Sequence, residues 1–156
     1  GQLPVERLPA RVYAVVGDPE VAMLIGRLPP TLEDIHALIL NEREVVTLTG
    51  RPDVWSAAGH LAGLGTTIVV TRGPKGAIAI EQDGHVVEVA ARAATVADPT
   101  GAGDLFAAAY VWADLAGHDI DERLRLATSY ASLSLERATD RQKGITLREF
   151  RALATG

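Results

Sequence analysis

The run from Thr66 to Thr71 constrains the fold more than any other feature, because every residue in it is β-branched. Such a run favours a strand that is covered on both faces, as in a parallel sheet. Helical periodicity precedes it over Asp53 to Leu64 and stops at Gly65. Shorter apolar runs at Val12 to Val16 and Ala37 to Leu40 repeat the pattern. The sequence therefore predicts an α/β fold with a mostly parallel sheet and right-handed crossovers.

The remaining helices and strands are predicted from caps, glycine stops and turn signals. Asn41 is suited to cap one helix, Gly50 to end it, and the pair Asp83-Gly84 to form a hairpin turn with an antiparallel edge. The expected helices are Pro19 to Leu28, Glu42 to Thr49, Ala102 to Ala116, Ile120 to about Ala138, and Leu147 to Ala154 after a Thr146/Glu149 capping box. The expected strands of the hairpin are Gly76 to Glu81 and His85 to Val89.

Composition limits the class of protein and its partners. The 156 residues are 47% apolar and 22% charged, which suits one folded domain. A net charge of −5 with scattered basic residues argues against nucleic acid or an anionic membrane as partner. The absence of cysteine excludes disulfides and thiolate sites and favours the cytoplasm. Residues 1–10 are interpreted as a boundary segment or extension, and residues 11–156 as the domain.

The segment from Asp98 to Asp104 is the strongest candidate for a functional site. It places Gly101 and Gly103 directly before a long apolar helix. Such a turn lets backbone N–H groups converge beside the positive end of the helix dipole, which makes an anion hole. Taken alone, a Gly-Ala-Gly-Asp sequence is more typical of a tight connection between strand and helix, whose small residues only permit close packing.

The whole segment, together with the Phe106 to Ala109 stretch after it, resembles the C-terminal signature of the ribokinase-like (PfkB) carbohydrate kinases. The resemblance implies the C-terminal half of a three-layer α/β/α sandwich that binds ATP and Mg²⁺. It also implies that the turn Gly101, Ala102 and Gly103 stabilises the transferring phosphoryl group. It further implies that Asp104 takes the proton from the acceptor hydroxyl. Phosphoryl transfer depends mainly on positioning and charge stabilisation, so a weak carboxylate base suffices for this step.

Two further segments resemble the family in the same order along the chain. Asn41 and Glu44 match its Asn-x-x-Glu motif, which organises phosphate, water and, indirectly, magnesium. Thr71, Gly73 and Gly76 match its Thr-x-Gly-x-x-Gly turn, which lies against the nucleotide phosphates. Without the resemblance, Asn41 is a helix cap with Glu44 as its capping-box partner, and the glycine turn is an ordinary loop.

The stretch from Leu124 to Arg137 resembles the family's penultimate helix, which implies that Thr128 faces adenine. The chain departs from the family's glycine-rich continuation after this helix. Trp55 and Trp112 lie at helical positions compatible with a core. The positions that match the family's monovalent-cation loop, which would hold K⁺, are Asp98, Thr100, Ser134, Arg137 and Thr139.

The resemblance extends from about Arg11 to Leu153 and covers only the C-terminal half of a family member. The half that normally selects the acceptor is absent from this sequence. The expected activity is ATP-dependent phosphorylation of a hydroxyl on a sugar, nucleoside or similar polyol. Pairing with the absent half, a homodimer, and a nucleotide-binding module without kinase activity stay open. A Rossmann-type dehydrogenase fits less well, because Phe106 occupies the third glycine position.

Overall fold

The computed structural model describes residues 11–95, 97–136 and 144–154, and the side chains of Leu147 and Ala154 fall outside that description. A one-turn 3₁₀ helix lies at Gly73–Lys75. The five strands are β1 (Tyr13–Val15), β2 (Ala37–Asn41), β3 (Thr67–Thr71), β4 (Ala77–Ile80) and β5 (Val86–Val89). The six helices within these ranges are α1 (Asp18–Leu24), α2 (Glu42–Thr49), α3 (Val54–Ala62), α4 (Ala102–Leu115), α5 (Ile120–Leu135) and α6 (Leu147–Ala154).

The strands form one sheet in the order β1-β2-β3-β4-β5. β2 pairs in parallel with β1 and with β3, and Leu38 lies opposite both Ala14 and Ile68. Four of the five β2 residues and three of the five β3 residues are buried. The mostly parallel α/β fold predicted from the β-branched run is thereby confirmed.

The chain divides into two compact units. Residues up to Arg72 together with Ile78–Val86 form the first unit, and Gly73–Ala77 together with residues from Val87 onward form the second. In the first unit, Leu38 and Leu40 of β2 share a buried cluster with α2 and α3. This cluster fixes β2 and β3 against their helices, so that the ends of the two strands are held in a defined place.

The second unit is built on α4 and α5. Phe106, Tyr110 and Leu124 are buried in it, and α6 is anchored by Phe150. The Phe150 ring packs edge-on against Trp112, with the ring centroids 4.9 Å apart. Within the described residues, no helix is both long and apolar enough to cross a membrane.

Two predicted helix ends differ from the structure by two or more residues, and a third lies outside the described residues. α1 ends at Leu24 instead of Leu28, because Ile25 turns extended and Gly26 follows at φ +68°. α3 ends at Ala62, since the N–H groups of Leu64 and Gly65 bond three residues back and tighten the last turn. α5 ends at Leu135 with Glu136 as its C-cap, and the predicted end at Ala138 lies outside the described residues.

Candidate functional site

The first cluster of predicted site residues lies where β2 and β3 end. Asn41 is the last residue of β2 and caps α2: its Oδ1 accepts the Glu44 N–H at 2.9 Å, and Glu44 Oε2 accepts the Asn41 N–H at 2.7 Å. Glu44 is only 9% exposed. The capping box that the sequence suggested is thus present. It holds a carboxylate directly after the carboxyl end of a parallel strand, where open α/β sheets bind ligands.

Thr71 is brought next to Asn41 by the strand register. The two residues are direct partners across the parallel pair of β2 and β3. The Thr71 hydroxyl donates a long hydrogen bond, 3.5 Å, to the Leu40 carbonyl. The sheet therefore gathers an amide, a hydroxyl and the Glu44 carboxylate at one edge of the first unit.

The turn after β3 requires glycine at Gly76. Its φ is +91°, and a Cβ there would lie 1.9 Å from the Val89 carbonyl oxygen and 2.6 Å from the Ala91 nitrogen. Gly73 also has a positive φ, +56°, but open space surrounds it. The Gly76 N–H donates to the Gly73 carbonyl at 3.0 Å, which closes the turn. Gly76 thus permits a backbone approach that no other residue allows.

The glycine turn that precedes α4 begins with an Asx turn, in which Asp98 Oδ1 accepts the Thr100 N–H at 2.9 Å. Gly101 then caps α4 in the left-handed conformation, φ +76°, and as a glycine it contributes no side-chain hydrogen bond to the helix. A Cβ at Gly101 or at Gly103 would meet no atom within 4 Å. Space is therefore open beside the first-turn N–H groups.

Four of the other described helices are capped by a side chain, whereas α1, whose N-cap is Gly17, has no side-chain cap either. Asn41, Asp53 and Asp119 each place a side-chain oxygen on the first-turn N–H groups of α2, α3 and α5, and Thr146 does so for α6. In α4, which has 14 residues, the N-cap is a glycine, so no N-cap side chain bonds the first-turn N–H groups. A helix start of this kind can accept an anion.

Asp104 is the third residue of α4 and its side chain is exposed to solvent. Phe106 and Ala107, the second and third residues after it, are buried and fix the first turns of the helix. The backbone that carries Asp104 is therefore anchored while its carboxylate stays accessible. This arrangement suits a group that must reach a substrate hydroxyl.

Residues predicted for the cation loop lie on two segments that hydrogen bonds join. The N–H groups of Ala97 and Asp98 both reach the Leu135 carbonyl, at 2.8 and 3.4 Å, which ties the segment before the glycine turn to the end of α5. Ser134 is buried there, and its hydroxyl donates to the Ala131 carbonyl at 2.7 Å. Two members of the predicted set lie outside the described residues, namely Arg137 and Thr139.

Thr128 occupies a buried position in the middle of α5. Its carbonyl accepts the Ser132 hydroxyl at 2.9 Å. Its own Oγ1 is buried and has no hydrogen-bond partner in the part of the chain that the structure describes. A buried hydroxyl without a partner is destabilising, so a polar ligand atom that reached it would be favoured.

A small cavity of about 160 Å³ lies between α1 and α2 in the first unit. Glu44 contributes to its wall beside apolar residues such as Val21. At its mouth Arg43 Nη2 donates to both carboxylate oxygens of Asp18, one of them at 2.7 Å. Within residues 11–95, 97–136 and 144–154, no group of three or more acidic or histidine side chains is close enough to hold a metal.

Sequence reasoning missed one contact near the first cluster. Trp55, which helical spacing places in the core, is 41% exposed. The guanidinium carbon of Arg72 lies 5.5 Å from the centroid of its ring. The contact could have been suspected from strand alternation, because Arg72 shares its parity with the buried Ile68 and Val70.

Comparison with known proteins matches residues 19–144 to the pfkB family of carbohydrate kinases. The chain is 38% identical over 110 residues to a cytidine kinase of Thermococcus kodakarensis, a match that covers 68% of this chain and 39% of the relative. It is 36% identical over 112 residues to a ribokinase of Arabidopsis thaliana, covering 67% of this chain and 30% of the relative.

Solved structures give the same result for the fold. A ribokinase of Arabidopsis thaliana, complexed with ribose and ATP, superimposes with a TM-score of 0.77 at 26% identity, covering 94% of this chain and 48% of that one. A ribokinase of Thermotoga maritima superimposes with a TM-score of 0.78 at 20% identity, covering 97% of this chain and 51% of that one. The fold is ribokinase-like, and the chain spans about half the length of these solved ribokinases. The chain belongs to the pfkB family of carbohydrate kinases.

Proposed function

We propose that the chain is the nucleotide-binding and catalytic part of a kinase that transfers the terminal phosphoryl group of ATP to a hydroxyl of a sugar, nucleoside or similar small polyol. The observation that carries the proposal is the start of α4, where the N-cap Gly101 offers no side chain to the first-turn N–H groups and open space surrounds Gly101 and Gly103. The matched relatives are a cytidine kinase and a ribokinase, which supports this range of acceptors.

The proposed reaction uses Asp104 as the base. The acceptor oxygen attacks the γ-phosphorus of ATP while its proton passes to the Asp104 carboxylate, and the bond from that phosphorus to the β–γ bridging oxygen breaks to release ADP. The exposed carboxylate on an anchored helix turn supports this role. A modest base suffices, since the loose transition state of phosphoryl transfer loses the proton late.

The turn Gly101, Ala102 and Gly103 is proposed as the anion hole. Charge accumulates on the transferring phosphoryl oxygens, and the first-turn N–H groups of α4 together with its dipole would stabilise that charge. The empty space around the Cβ positions of both glycines supports close approach of a phosphate. A side chain at either position would narrow that approach.

Asn41 and Glu44 are proposed to organise the phosphates, water and, indirectly, Mg²⁺. Bound magnesium would neutralise the charge of the phosphates. Oxygen ligands fit this ion, and Glu44 supplies a carboxylate fixed by its hydrogen bond to the Asn41 N–H. A ribokinase II of E. coli, 25% identical, has been solved with ATP and Mg²⁺, which supports the same pair of ligands here.

The remaining roles extend this nucleotide site. We assign Thr71, Gly73 and Gly76 to the phosphates and the unpaired Thr128 hydroxyl to the adenine. Asp98, Thr100 and Ser134, with Arg137 and Thr139, would hold a monovalent cation such as K⁺. We also propose a cytoplasmic location, and either a homodimer or association with the rest of a ribokinase-like fold.

The experiment that tests the function is the substitution Asp104→Asn in the complete protein, with Asp121→Asn as control. Asp121 is also an acidic residue in the first turn of a helix, α5. We expect Asp104→Asn to lower kcat roughly 100- to 10,000-fold against ribose, cytidine and related acceptors. Binding of ATP with Mg²⁺, measured by calorimetry, should stay within about twofold of wild type, and Asp121→Asn should change neither quantity.

The possible outcomes separate the alternatives. Substantial turnover by Asp104→Asn would remove Asp104 as the base. ATP binding by the wild-type protein without transfer to any acceptor would favour a nucleotide-binding module. Absence of ATP binding would contradict both readings. The dehydrogenase alternative loses support, because the family that the chain belongs to is a kinase family.

A further inference from the structure

A contact between Trp55 and Arg72 joins the start of α3 to the end of β3. Arg72 directly follows Thr71, the last residue of β3, and Trp55 lies in the first turn of α3. The guanidinium carbon of Arg72 is 5.5 Å from the centroid of the Trp55 ring. The separation lies within the range of a cation–π interaction, for which an indole is the best aromatic partner.

Strand alternation separates the direction of Arg72 from that of Thr71. Ile68 and Val70 belong to the buried cluster that includes the α3 residues Ala57 and Leu61. Because successive side chains of a strand point to opposite faces, Arg72 continues the face of Ile68 and Val70, towards α3. Thr71 belongs to the other face. The side chain of Arg72 therefore points towards α3, where it holds the strand end, whereas the side chain of Thr71 points to the opposite face.

The ring that receives Arg72 is itself fixed in place. Asp53 caps α3, and its Oδ1 accepts the N–H groups of Trp55 at 2.9 Å and of Ser56 at 3.0 Å. The Ser56 hydroxyl also donates to Asp53 Oδ2 at 2.9 Å. The first turn of α3 is thus rigidly closed, and Trp55 projects from it at a defined position. Because Arg72 contacts this ring, the end of β3 is held at a defined position as well.

The end of β3 leads directly into a turn that starts at a glycine with positive φ. Gly73 follows Arg72 at φ +56°, is exposed, and opens a single 3₁₀ turn. The Thr71 hydroxyl adds only the long hydrogen bond to the Leu40 carbonyl, 3.5 Å. The stack of Arg72 on Trp55 is a further contact of this strand end with its own unit.

We propose that Trp55 and Arg72 are positioning residues that hold Thr71 in register beside Asn41 for nucleotide binding. The inference rests on the proposed function, in which Thr71 contacts the nucleotide phosphates. Loss of the stack should weaken the interaction with ATP and leave the proton transfer at Asp104 and the acceptor site unaffected. The signature is a raised KM for ATP with kcat and the acceptor KM nearly unchanged.

The test compares disruptive with conservative variants in the complete protein. Trp55→Ala and Arg72→Ala remove the stack, whereas Trp55→Phe and Arg72→Lys keep a ring and a cation. We expect the KM for ATP to rise about two- to fivefold in each alanine variant, as a partly exposed cation–π contact implies. The double alanine variant should be no worse than Arg72→Ala alone, because the contact with Trp55 is already lost in that variant, and the conservative variants should recover most of the affinity.

Amide hydrogen exchange gives a readout that does not need kinase activity. The N–H groups of Val70, Thr71 and Arg72 should exchange faster in Trp55→Ala and at nearly the wild-type rate in Trp55→Phe. Met23→Ala is the control, because Met23 is an exposed apolar residue of α1. It should alter neither the exchange of these amides nor the KM for ATP.

The outcomes distinguish this inference from the proposed function. Unchanged exchange in Trp55→Ala would overturn the positioning role, and so would faster exchange with an unaltered KM for ATP. An equal rise of KM in Trp55→Ala and Trp55→Phe would also overturn it, since the ring would then not be the relevant feature. If the wild-type protein did not use ATP at all, the proposed function would fail, and the exchange data alone would decide whether the stack holds the strand end.

Discussion

Arg123 Nη1 lies 2.8 Å from Asp114 Oδ1, and the Asp114 side chain is completely buried. The same guanidinium donates from Nε to the His118 carbonyl at 2.6 Å. One arginine of α5 therefore neutralises a carboxylate of α4 and also fixes the loop between the two helices. Since a buried charge is tolerated only when it is paired, this contact should be sensitive to the loss of either partner.

We expect Asp114→Asn to destabilise the protein by about 3 to 5 kcal/mol, because it leaves the Arg123 guanidinium without a buried counter-charge. The measurement is the free energy of unfolding from urea titrations. Asp18→Asn is the control: it weakens the exposed Asp18–Arg43 pair, whose side chains are 64% and 72% exposed. A surface pair of this kind contributes about 1 kcal/mol or less. Equal losses in the two variants would contradict the prediction.

Substitution of Gly76 by alanine should destabilise the protein more than substitution of Gly84. Both glycines have a similar positive φ, +91° and +87°, so both alanines are strained by about 1–2 kcal/mol. Only at Gly76 would the new Cβ meet backbone, at 1.9 Å from the Val89 carbonyl oxygen. Thermal unfolding of the two variants measures the difference. Identical unfolding midpoints would contradict the close approach of the Val89 carbonyl to Gly76.

The cap of α3 should make stability depend on acidic pH. Hydrogen bonds from the Ser56 N–H, the Ser56 hydroxyl and the Trp55 N–H lower the pKa of Asp53 below its ordinary value of 3.8. A lowered folded-state pKa means that the stabilisation is complete above 3.8 and is lost as the pH falls through the folded-state value. Asn at position 53 keeps an N-cap oxygen but does not titrate. The stability of wild type relative to Asp53→Asn should therefore decline below about pH 3.8. A difference that stays constant down to pH 2 would contradict this assignment.

Glu44→Gln should separate the structural role of Glu44 from its proposed role with magnesium. Glutamine retains an oxygen that can accept the Asn41 N–H, so thermal stability should change little. Loss of the charge should raise the Mg²⁺ concentration for half-maximal activity roughly 10- to 100-fold. Glu42→Gln, in the same turn of α2, is the control. An unaltered magnesium dependence in Glu44→Gln would argue against the proposed role.

Local signals decided which helix bounds could be predicted. The bounds of α2 are confirmed at both ends, because Asn41 provides a side-chain cap and Gly50 a left-handed stop at φ +66°. The C-terminal end of α1 is set by the turn at Ile25 and Gly26. Periodicity ran through that turn. Prediction from sequence thus succeeded at α2, where Asn41 and Gly50 mark the two ends, and failed at the end of α1, where apolar periodicity continued past Gly26.

Some features of the candidate site could likewise be predicted from the sequence, and others could not. The motif from Asp98 to Asp104 could be identified from sequence because its residue types are specific, whereas the roles given to its residues stay predictions. The contact of Trp55 with Arg72 spans 17 positions and depends on how α3 packs on β3. The buried pair of Asp114 and Arg123 depends equally on the packing of α4 against α5. Alternation along β3 indicates the direction of the Arg72 side chain but not its partner, and the buried pair leaves no periodic trace in the sequence.

The start of α4 has no N-cap side chain, and position 101 is nevertheless a poor choice for a stabilising substitution. Asparagine at position 101 would tolerate the left-handed backbone and would place a polar side chain beside the first turn. The gain in unfolding temperature would come from filling the place that we assign to a phosphoryl group. Variants selected for heat resistance alone should therefore accumulate changes at Gly101 that abolish turnover, whereas selection for activity should remove them.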